Sequence, residues 1–368
     1  MRTTQRMRRA GLATVAALVI GGGGVAVGAA AADSGAAGSG ASGNTAAAAT
    51  ATPAPAVPGP DSYAGVVRQV LPSVVLIRTP DGLGSGVVLD RSGNIVTNAH
   101  VAGNATEFQV QVAGDTAPRS ARLVGSYPPD DLAVIRADDP SGLQPARFGD
   151  SDRARAGDVV LAIGNPLGLS GSVTQGIVSA TDRAVTEPAS EGPVGRSTAA
   201  VTLPGAIQTS APINPGNSGG ALVSTSGQVI GIPTLAAGSP QGGGQAQGIG
   251  FAIPSNLARD IATQIIETGH VTNSHRAAIG AEVATVLGPD GAPGGVGVVS
   301  VVGGGAAERA GLRPGDVITS VGRSQTPDTT ALSQALAAAQ PGDKVTVTVS
   351  RDGQDRTVQV TLGELPGS

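Results

Sequence analysis

The chain has 368 residues, a formal net charge of −4, 57 glycines, 26 prolines, only 1% aromatic residues and no cysteine. Without cysteine, thiol catalysis, a disulfide framework and cysteine-ligated zinc or iron–sulfur centres are excluded; neither a metal nor a cofactor is expected. Arg2, Arg6, Arg8 and Arg9 cluster at the start, and the remaining 19 basic and 27 acidic residues leave a body of net charge −8, which argues against nucleic acid as a partner.

Residues 10–32 follow that arginine cluster without a single charge. Residues 1–32 therefore read as a signal peptide or an N-terminal transmembrane anchor, with the arginine end cytoplasmic. In either case the body is extracytoplasmic, secreted or held at the cell membrane by a single pass. Residues 33–60 are nearly all Ala, Gly, Ser, Thr and Pro. They cannot bury enough apolar surface to offset their ordering entropy, and they predict a disordered tether. From Asp61 the texture changes to short β-branched runs at 74–78, 86–89, 95–97, 108–112, 132–136, 159–163, 177–180 and 229–232, separated by turn clusters such as Asp90-Arg91-Ser92-Gly93-Asn94. Many short strands at even spacing predict a β-sandwich or barrel over 61–268. One helix is expected at 256–268, where Ile261, Ile265 and Ile266 share a face and Gly269 supplies the C-cap. Residues 269–278 read as a polar linker. A second β-rich unit spans 279–366, with strands at 296–302, 316–321, 344–350 and 357–362 and a helix at 329–339. The fold class is mostly β.

The chemistry concentrates on serine, histidine and aspartate. Ser218 lies in Asn214-Pro215-Gly216-Asn217-Ser218-Gly219-Gly220. Small neighbours on a tight turn expose a nucleophile and let backbone N–H groups converge on one point as an oxyanion hole. A serine hydroxyl needs a base, and imidazole suits neutral pH. Of three histidines, His100 ends an apolar strand in Thr97-Asn98-Ala99-His100-Val101, while His270 and His275 fall in the polar linker and read as solvated. The carboxylate that would orient the imidazole has several candidates between His100 and Ser218, among them Glu107, Asp115, Asp138, Asp150 and Asp158. Asp131 stands out because it directly precedes the apolar run Leu132-Ala133-Val134-Ile135; Asp130 is read as its solvated neighbour.

The order His100, Asp131, Ser218 is that of chymotrypsin-type enzymes, and the motifs extend the likeness. Gly84-Ser85-Gly86-Val87-Val88, Thr97-Asn98-Ala99-His100-Val101, Asp131-Leu132-Ala133-Val134-Ile135, Gly164-Asn165-Pro166, Gly176-Ile177-Val178-Ser179, Gly216-Asn217-Ser218-Gly219-Gly220 and Gly250-Phe251-Ala252-Ile253-Pro254 stand in one order. They resemble the HtrA/Deg family of trypsin-like serine proteases with a C-terminal PDZ domain. The likeness continues through Ala310-Gly311-Leu312-Arg313-Pro314-Gly315-Asp316. It implies a chymotrypsin-like double β-barrel followed by a PDZ domain, with His100 and Asp131 from the first barrel and Ser218 from the second. It further implies an oxyanion hole of the Gly216 and Ser218 N–H groups, a Thr234 carbonyl offered to the substrate backbone, and a homotrimer acting on unfolded or damaged envelope proteins. A PDZ-bearing chaperone or binding protein with an inactive protease site stays open as the alternative.

Three departures from the family pattern stand out. Ser210 replaces a common aspartate, Pro233 replaces a residue beside the substrate edge, and the turn at 79–83 is too short for the insert that builds large cages. The walls expected around the specificity pocket, with Ile213 and Ile249, hold no carboxylate, so cleavage after Val, Ala or Ile is expected rather than after Lys or Arg. In the PDZ unit, Ala278-Ile279-Gly280 is the expected carboxylate nest for C-terminal peptides, with Leu332 and Leu336 lining the groove. Arg183 is expected in a loop that couples peptide binding to catalysis.

Overall fold

The computed structural model describes residues 60–80, 82–115, 117–165, 172–187, 190–192, 196–198, 201–214, 216–238, 245–288 and 291–367. The N-terminal segment and tether expected at 1–59 lie outside them. Among the described residues, no helix is long and apolar enough to cross a membrane.

A helix, α1 (Pro60–Val70), precedes six strands: β1 (Val74–Thr79), β2 (Gly82–Val88), β3 (Asn94–Thr97), β4 (Glu107–Val112), β5 (Arg119–Tyr127) and β6 (Leu132–Ala137). They close into a barrel in the order β1-β2-β3-β6-β5-β4, and a one-turn helix, α2 (Ala99–Ala102), links β3 to β4. The next set is β7 (Val159–Gly164), β8 (Ser172–Glu187), β9 (Ser190–Gly192), β10 (Arg196–Thr198), β11 (Val201–Thr209), β12 (Ala221–Ser224), β13 (Val229–Gly238) and β14 (Gln245–Pro254). Apart from β9 and β10, which pair with each other, these close a second barrel in the order β11-β14-β13-β12-β7-β8, and α3 (Ser255–Thr268) follows.

Strand pleating explains why the core strands read as unbroken apolar runs. Successive side chains point to opposite faces. In β6, Ala133 and Ile135 enter the first barrel, while Leu132 and Val134 enter a separate core between the barrels. In β7, Val160 and Ala162 fill the second barrel, while Leu161 and Ile163 join the same central core. Both faces are dry, so no polar alternation shows. Helix α3 closes that core with Ala258, Ile261, Ala262 and Ile265, and Gly269 caps it in the left-handed conformation at φ 81°.

The C-terminal body contains β15 (Ala277–Ala278), β16 (Ala281–Leu287), β17 (Pro293–Val301), α4 (Ala306–Arg309), β18 (Val317–Val321), β19 (Ser324–Gln325), α5 (Thr329–Ala337), β20 (Lys344–Arg351), β21 (Gln354–Thr361) and β22 (Gly363–Glu364). Its sheet runs β16-β17-β18-β20-β21 with β19 beside β18, and β15 pairs β22. Its own core joins Ile279, Val296, Val298, Ile318, Leu332, Val347 and Val349.

Four local readings change. A helix stands at α1, where the chain was expected to enter strands directly; Val66 and Val70, one turn apart, are the residues it buries in the central core. Strand β8 continues far past the expected 177–180 because its polar half pairs with β11 from Val201 to Ala206. The stretch read as a linker is docked: Val271 and Ser274 are buried, Ala277 and Ala278 form a strand, and Arg276 reaches into the protease body. Asp130, read as solvated, is completely buried against that arginine.

Candidate active site

Strands β3 and β6 are paired, with Thr97 opposite Ala133, so the end of one lies beside the start of the other. Asn98 turns the chain out of β3 into α2, which carries His100. On the neighbouring strand, a 3₁₀ turn at Pro128–Asp130 ends in Asp131, held left-handed at φ 52°, ψ 42°. Few residues besides glycine adopt that conformation, and aspartate is among the most tolerant. The backbone twist brings the Asp131 carboxylate to His100: the His100 N–H donates to Oδ1 at 2.9 Å, and Nδ1 lies 2.8 Å from Oδ2 and 3.0 Å from Oδ1. The Thr234 hydroxyl also donates to Oδ2, and Asn98 Nδ2 donates to the Asp131 carbonyl at 3.0 Å. Facing a carboxylate that only accepts, Nδ1 is the ring nitrogen placed to donate. The Asp131 side chain is 7% exposed and that of His100 42%, leaving the imidazole open on one side.

Ser218 comes from the turn between β11 and β12 of the second barrel. Its hydroxyl donates to the Thr234 carbonyl at 3.2 Å. Among the described residues, the N–H groups of Asn217, Gly219 and Gly220 donate to Asn214, Pro233 and Asn217 carbonyls, whereas those of Gly216 and Ser218 meet no acceptor. The turn is pinned across the barrels by Ser85 of β2, which is fully buried. The Ser85 N–H donates to the Ser218 carbonyl at 2.9 Å, and its hydroxyl donates to the Gly216 carbonyl at 2.6 Å and accepts from the Asn165 N–H at 2.8 Å. Gly219 makes the approach possible: at φ 78°, a Cβ there would fall 2.2 Å from the Ser85 carbonyl oxygen.

The departures find local accommodation. Ser210 accepts the Ile177 N–H on its hydroxyl at 3.0 Å, holding β8 against the turn after β11. At Pro233 the β13–β14 pairing continues, opposite Ala252, with a register shift before Leu235, and its carbonyl takes the Gly219 N–H. Ile213 is buried and closes on the backbone of Gly250, where a Cβ would fall 2.4 Å from its Cγ1, while Ile249 next to it is 38% exposed.

In the C-terminal body, Ala278, Ile279, Gly280, Leu332 and Leu336 all line one cavity of about 430 Å³ between β16 and α5. Among the described residues, strand β16 pairs only with β17 and so leaves a sheet edge beside it. Leu332 is also part of the domain core, and Leu336 packs at its rim. Arg183 is not in a loop: it is exposed on β8, paired opposite Ala206. Three residues on, Thr186 accepts a hydrogen bond from Gln334 of α5 at 3.1 Å, so this strand does touch the C-terminal body.

The sequence reading did not include the Thr234 hydroxyl, Ser85, Asn98 or the Asp130–Arg276 pair. Ser85 and Asn98 lie inside quoted motifs, so their signal was present; nothing local marks Arg276 as a partner for a residue 146 positions away.

Comparison with known proteins bears on this geometry. A family model for trypsin-like peptidase domains matches residues 84–232 and one for PDZ domains matches 271–362. Serine protease PepD of Mycobacterium tuberculosis is 40% identical over 324 residues, covering 83% of this chain and 67% of that protein. The chain belongs to the HtrA family of serine proteases. The periplasmic serine endoprotease DegP of Escherichia coli is 39% identical over 76% of this chain, which spans 56% of DegP. Among solved structures, an HtrA-type protease AlgW with tripeptide superposes with a TM-score of 0.54 at 38% identity, covering 83% of this chain and 97% of that one. A serine endoprotease from Yersinia pestis gives 0.52 at 36%, covering 82% and 98%.

Proposed function

We propose that this chain is an extracytoplasmic serine endopeptidase that cleaves unfolded or damaged envelope proteins through an acyl-enzyme, and that its C-terminal domain captures peptide C-termini. The observation that carries the reading is a run of contacts across the two barrels, from His100 to Asp131, and from Asp131 through the Thr234 hydroxyl to the residue whose carbonyl takes the Ser218 hydroxyl, beside Gly216 and Ser218 N–H groups that meet no acceptor among the described residues. In the reaction, His100 Nε2 takes the Ser218 proton as Oγ attacks the scissile carbonyl. The Gly216 and Ser218 N–H groups receive the oxyanion. His100 then protonates the leaving amine, and water repeats the cycle on the ester. Asp131 stays ionised and steadies the imidazolium. Ser218 must first turn its hydroxyl from the Thr234 carbonyl, the acceptor a substrate backbone N–H would take.

The pocket between Ile213 and Gly250 favours Val, Ala or Ile before the cut, because a lysine or arginine would lose its hydration without a counter-charge. The C-terminal groove adds a peptide as a strand along β16, with its carboxylate on the backbone at Ala278-Ile279-Gly280. Export runs through the uncharged residues 10–32, membrane attachment through the same segment, and the assembly is a homotrimer by family resemblance. Strand β8 with Arg183 is the coupling route, since it reaches α5.

A fluorophosphonate probe tests the central reading. Labelling of the full chain and none of Ser218→Ala is expected; an unlabelled wild-type chain that still binds unfolded protein would leave the binding-protein alternative. A peptide library cut preferentially after Arg would overturn the pocket assignment, and equal binding of a free and an amidated apolar-ended peptide would overturn the nest. Light scattering reads the trimer, and carbonate extraction of cell envelopes reads the attachment.

A further inference from the structure

The turn that presents Asp131 to His100 is clamped by a residue from outside the two barrels. Arg276 lies beyond α3, immediately before β15. Its Nη1 donates to Asp130 Oδ1 at 2.9 Å and to the Pro129 carbonyl, and its Nη2 donates to the Thr202 carbonyl of β11 at 2.8 Å. One planar guanidinium thus ties the Pro128–Asp130 turn of the first barrel to a strand of the second. Both partners are out of water: the Asp130 side chain has no exposure and that of Arg276 is 14% exposed. Asp130 Oδ2 is buried and meets no partner among the described residues, so Arg276, with a smaller pull from nearby His275, is what compensates this carboxylate.

We infer that Arg276 is a positioning residue for the active site: by clamping Pro129 and Asp130 it fixes the left-handed torsion of Asp131 and hence the carboxylate that orients His100. The inference rests on the reading of Asp131 as the orienting carboxylate. The physical argument is charge burial next to a strained residue. A buried carboxylate stripped of its arginine is strongly unfavourable, and it escapes by swinging toward water. Here the swing moves the peptide between Asp130 and Asp131. Asp131 has no slack to absorb it, because its φ of 52° is sparsely tolerated and its carboxylate meets His100 through two distinct hydrogen-bond directions. A misplacement of about 1 Å in a catalytic array lowers turnover on the order of a hundredfold. Because Arg276 sits one residue before β15 and lines the C-terminal groove, the catalytic turn is held by the segment that carries the peptide-binding loop.

The test uses the full chain and four variants: Arg276→Gln, Arg276→Lys, Asp130→Asn with Arg276→Gln, and Asp131→Ala. Turnover of a short peptide ester is measured per site titrated to completion with a fluorophosphonate, so that unfolded protein does not count. Arg276→Gln is expected to lower kcat on the order of tenfold to a hundredfold with KM changed less than about twofold. Neutralising the carboxylate as well, in the double variant, is expected to restore most of kcat, which a loss of packing alone would not do. Arg276→Lys, which keeps the charge but loses the fork, is expected to fall between and stands in if the Gln variant does not fold. A kcat for Arg276→Gln within about twofold of wild type, or a loss undiminished in the double variant, overturns the inference. Full turnover in Asp131→Ala would instead remove the site reading, and the inference with it.

Discussion

Two buried arginine–carboxylate pairs flank the C-terminal domain and differ in completeness. Within that domain, Arg351 Nε and Nη2 meet the two oxygens of Asp316 at 2.5 and 2.6 Å, and the Arg313 N–H donates to the same carboxylate at 2.9 Å. At the junction with the protease body, Arg276 satisfies one oxygen of Asp130, and the other meets no partner among the described residues. The consequence shows in the proton affinities. Hydrogen bonds from Arg351 hold the Asp316 carboxyl below the usual carboxylate range. Burial pushes Asp130 above it, against the pull of Arg276. A bidentate pair inside one domain has both carboxylate oxygens matched and supports that fold. The junction pair divides its guanidinium among Asp130, Pro129 and Thr202, sacrificing full compensation of the carboxylate to join three chain segments.

The comparison sharpens first one residue away. Asp131→Ala is expected to lower kcat/KM on the order of 10⁴-fold in protein that still unfolds cooperatively, measured by steady-state kinetics and calorimetry, with the melting temperature lowered because alanine takes the left-handed φ of 52° less readily and leaves the His100 and Thr234 donors unmatched. Breaking the complete pair with Arg351→Met should instead lower the stability of the C-terminal domain. Denaturant unfolding reads that loss, and hydrolysis of a short ester should stay at wild-type rate.

Acid separates the two carboxylates by sign. Asp316, with its folded pKa lowered, contributes stability that is fully present above the unfolded carboxylate value and is lost as pH falls through the folded one. Asp130, with its folded pKa raised, does the reverse: stability drops as pH rises from the unfolded value to the folded one and is level beyond. Melting curves from roughly pH 3 to 7 should therefore lose part of their rising limb in Asp316→Asn, the rest belonging to other lowered carboxyls such as Asp139 and Asp150, and part of their falling limb in Asp130→Asn. The smallest effect belongs to the exposed pair His275–Asp260, 3.1 Å apart with 55% and 47% of the side chains exposed. His275→Asn, which keeps a residue tolerant of the left-handed φ of 56° there, should change stability by less than about 1 kcal/mol in the same denaturant titration, and a larger change would mean that this exposed pair does more than its exposure allows.

Much of the site was legible because its chemistry is local. Ser218 among glycines, His100 at a strand end and Asp131 before an apolar run each carry their signal within five residues. The strands were legible where both faces are dry, as at 132–136 and 159–163, and missed where a strand is half wet, as in β5, whose arginines, serines and glycine hide its period among few fully buried positions. Asp130 and Asp131 mark the boundary most sharply. Side by side in sequence, they were separated correctly as to which meets the histidine, and incorrectly as to the fate of the other.

Residue types and short-range periodicity set the mostly β fold, the nucleophile turn and the base, since these follow from backbone sterics and from which side chains can move a proton at neutral pH. Burial of Asp130, the reach of Arg276, the Thr234 hydroxyl on Asp131 and the clasp of Ser85 on the Ser218 turn belong to the assembled molecule. Each joins segments far apart in the chain, and the partner of a buried polar group is chosen by which strands are packed beside it, a choice that no window of neighbouring residues contains.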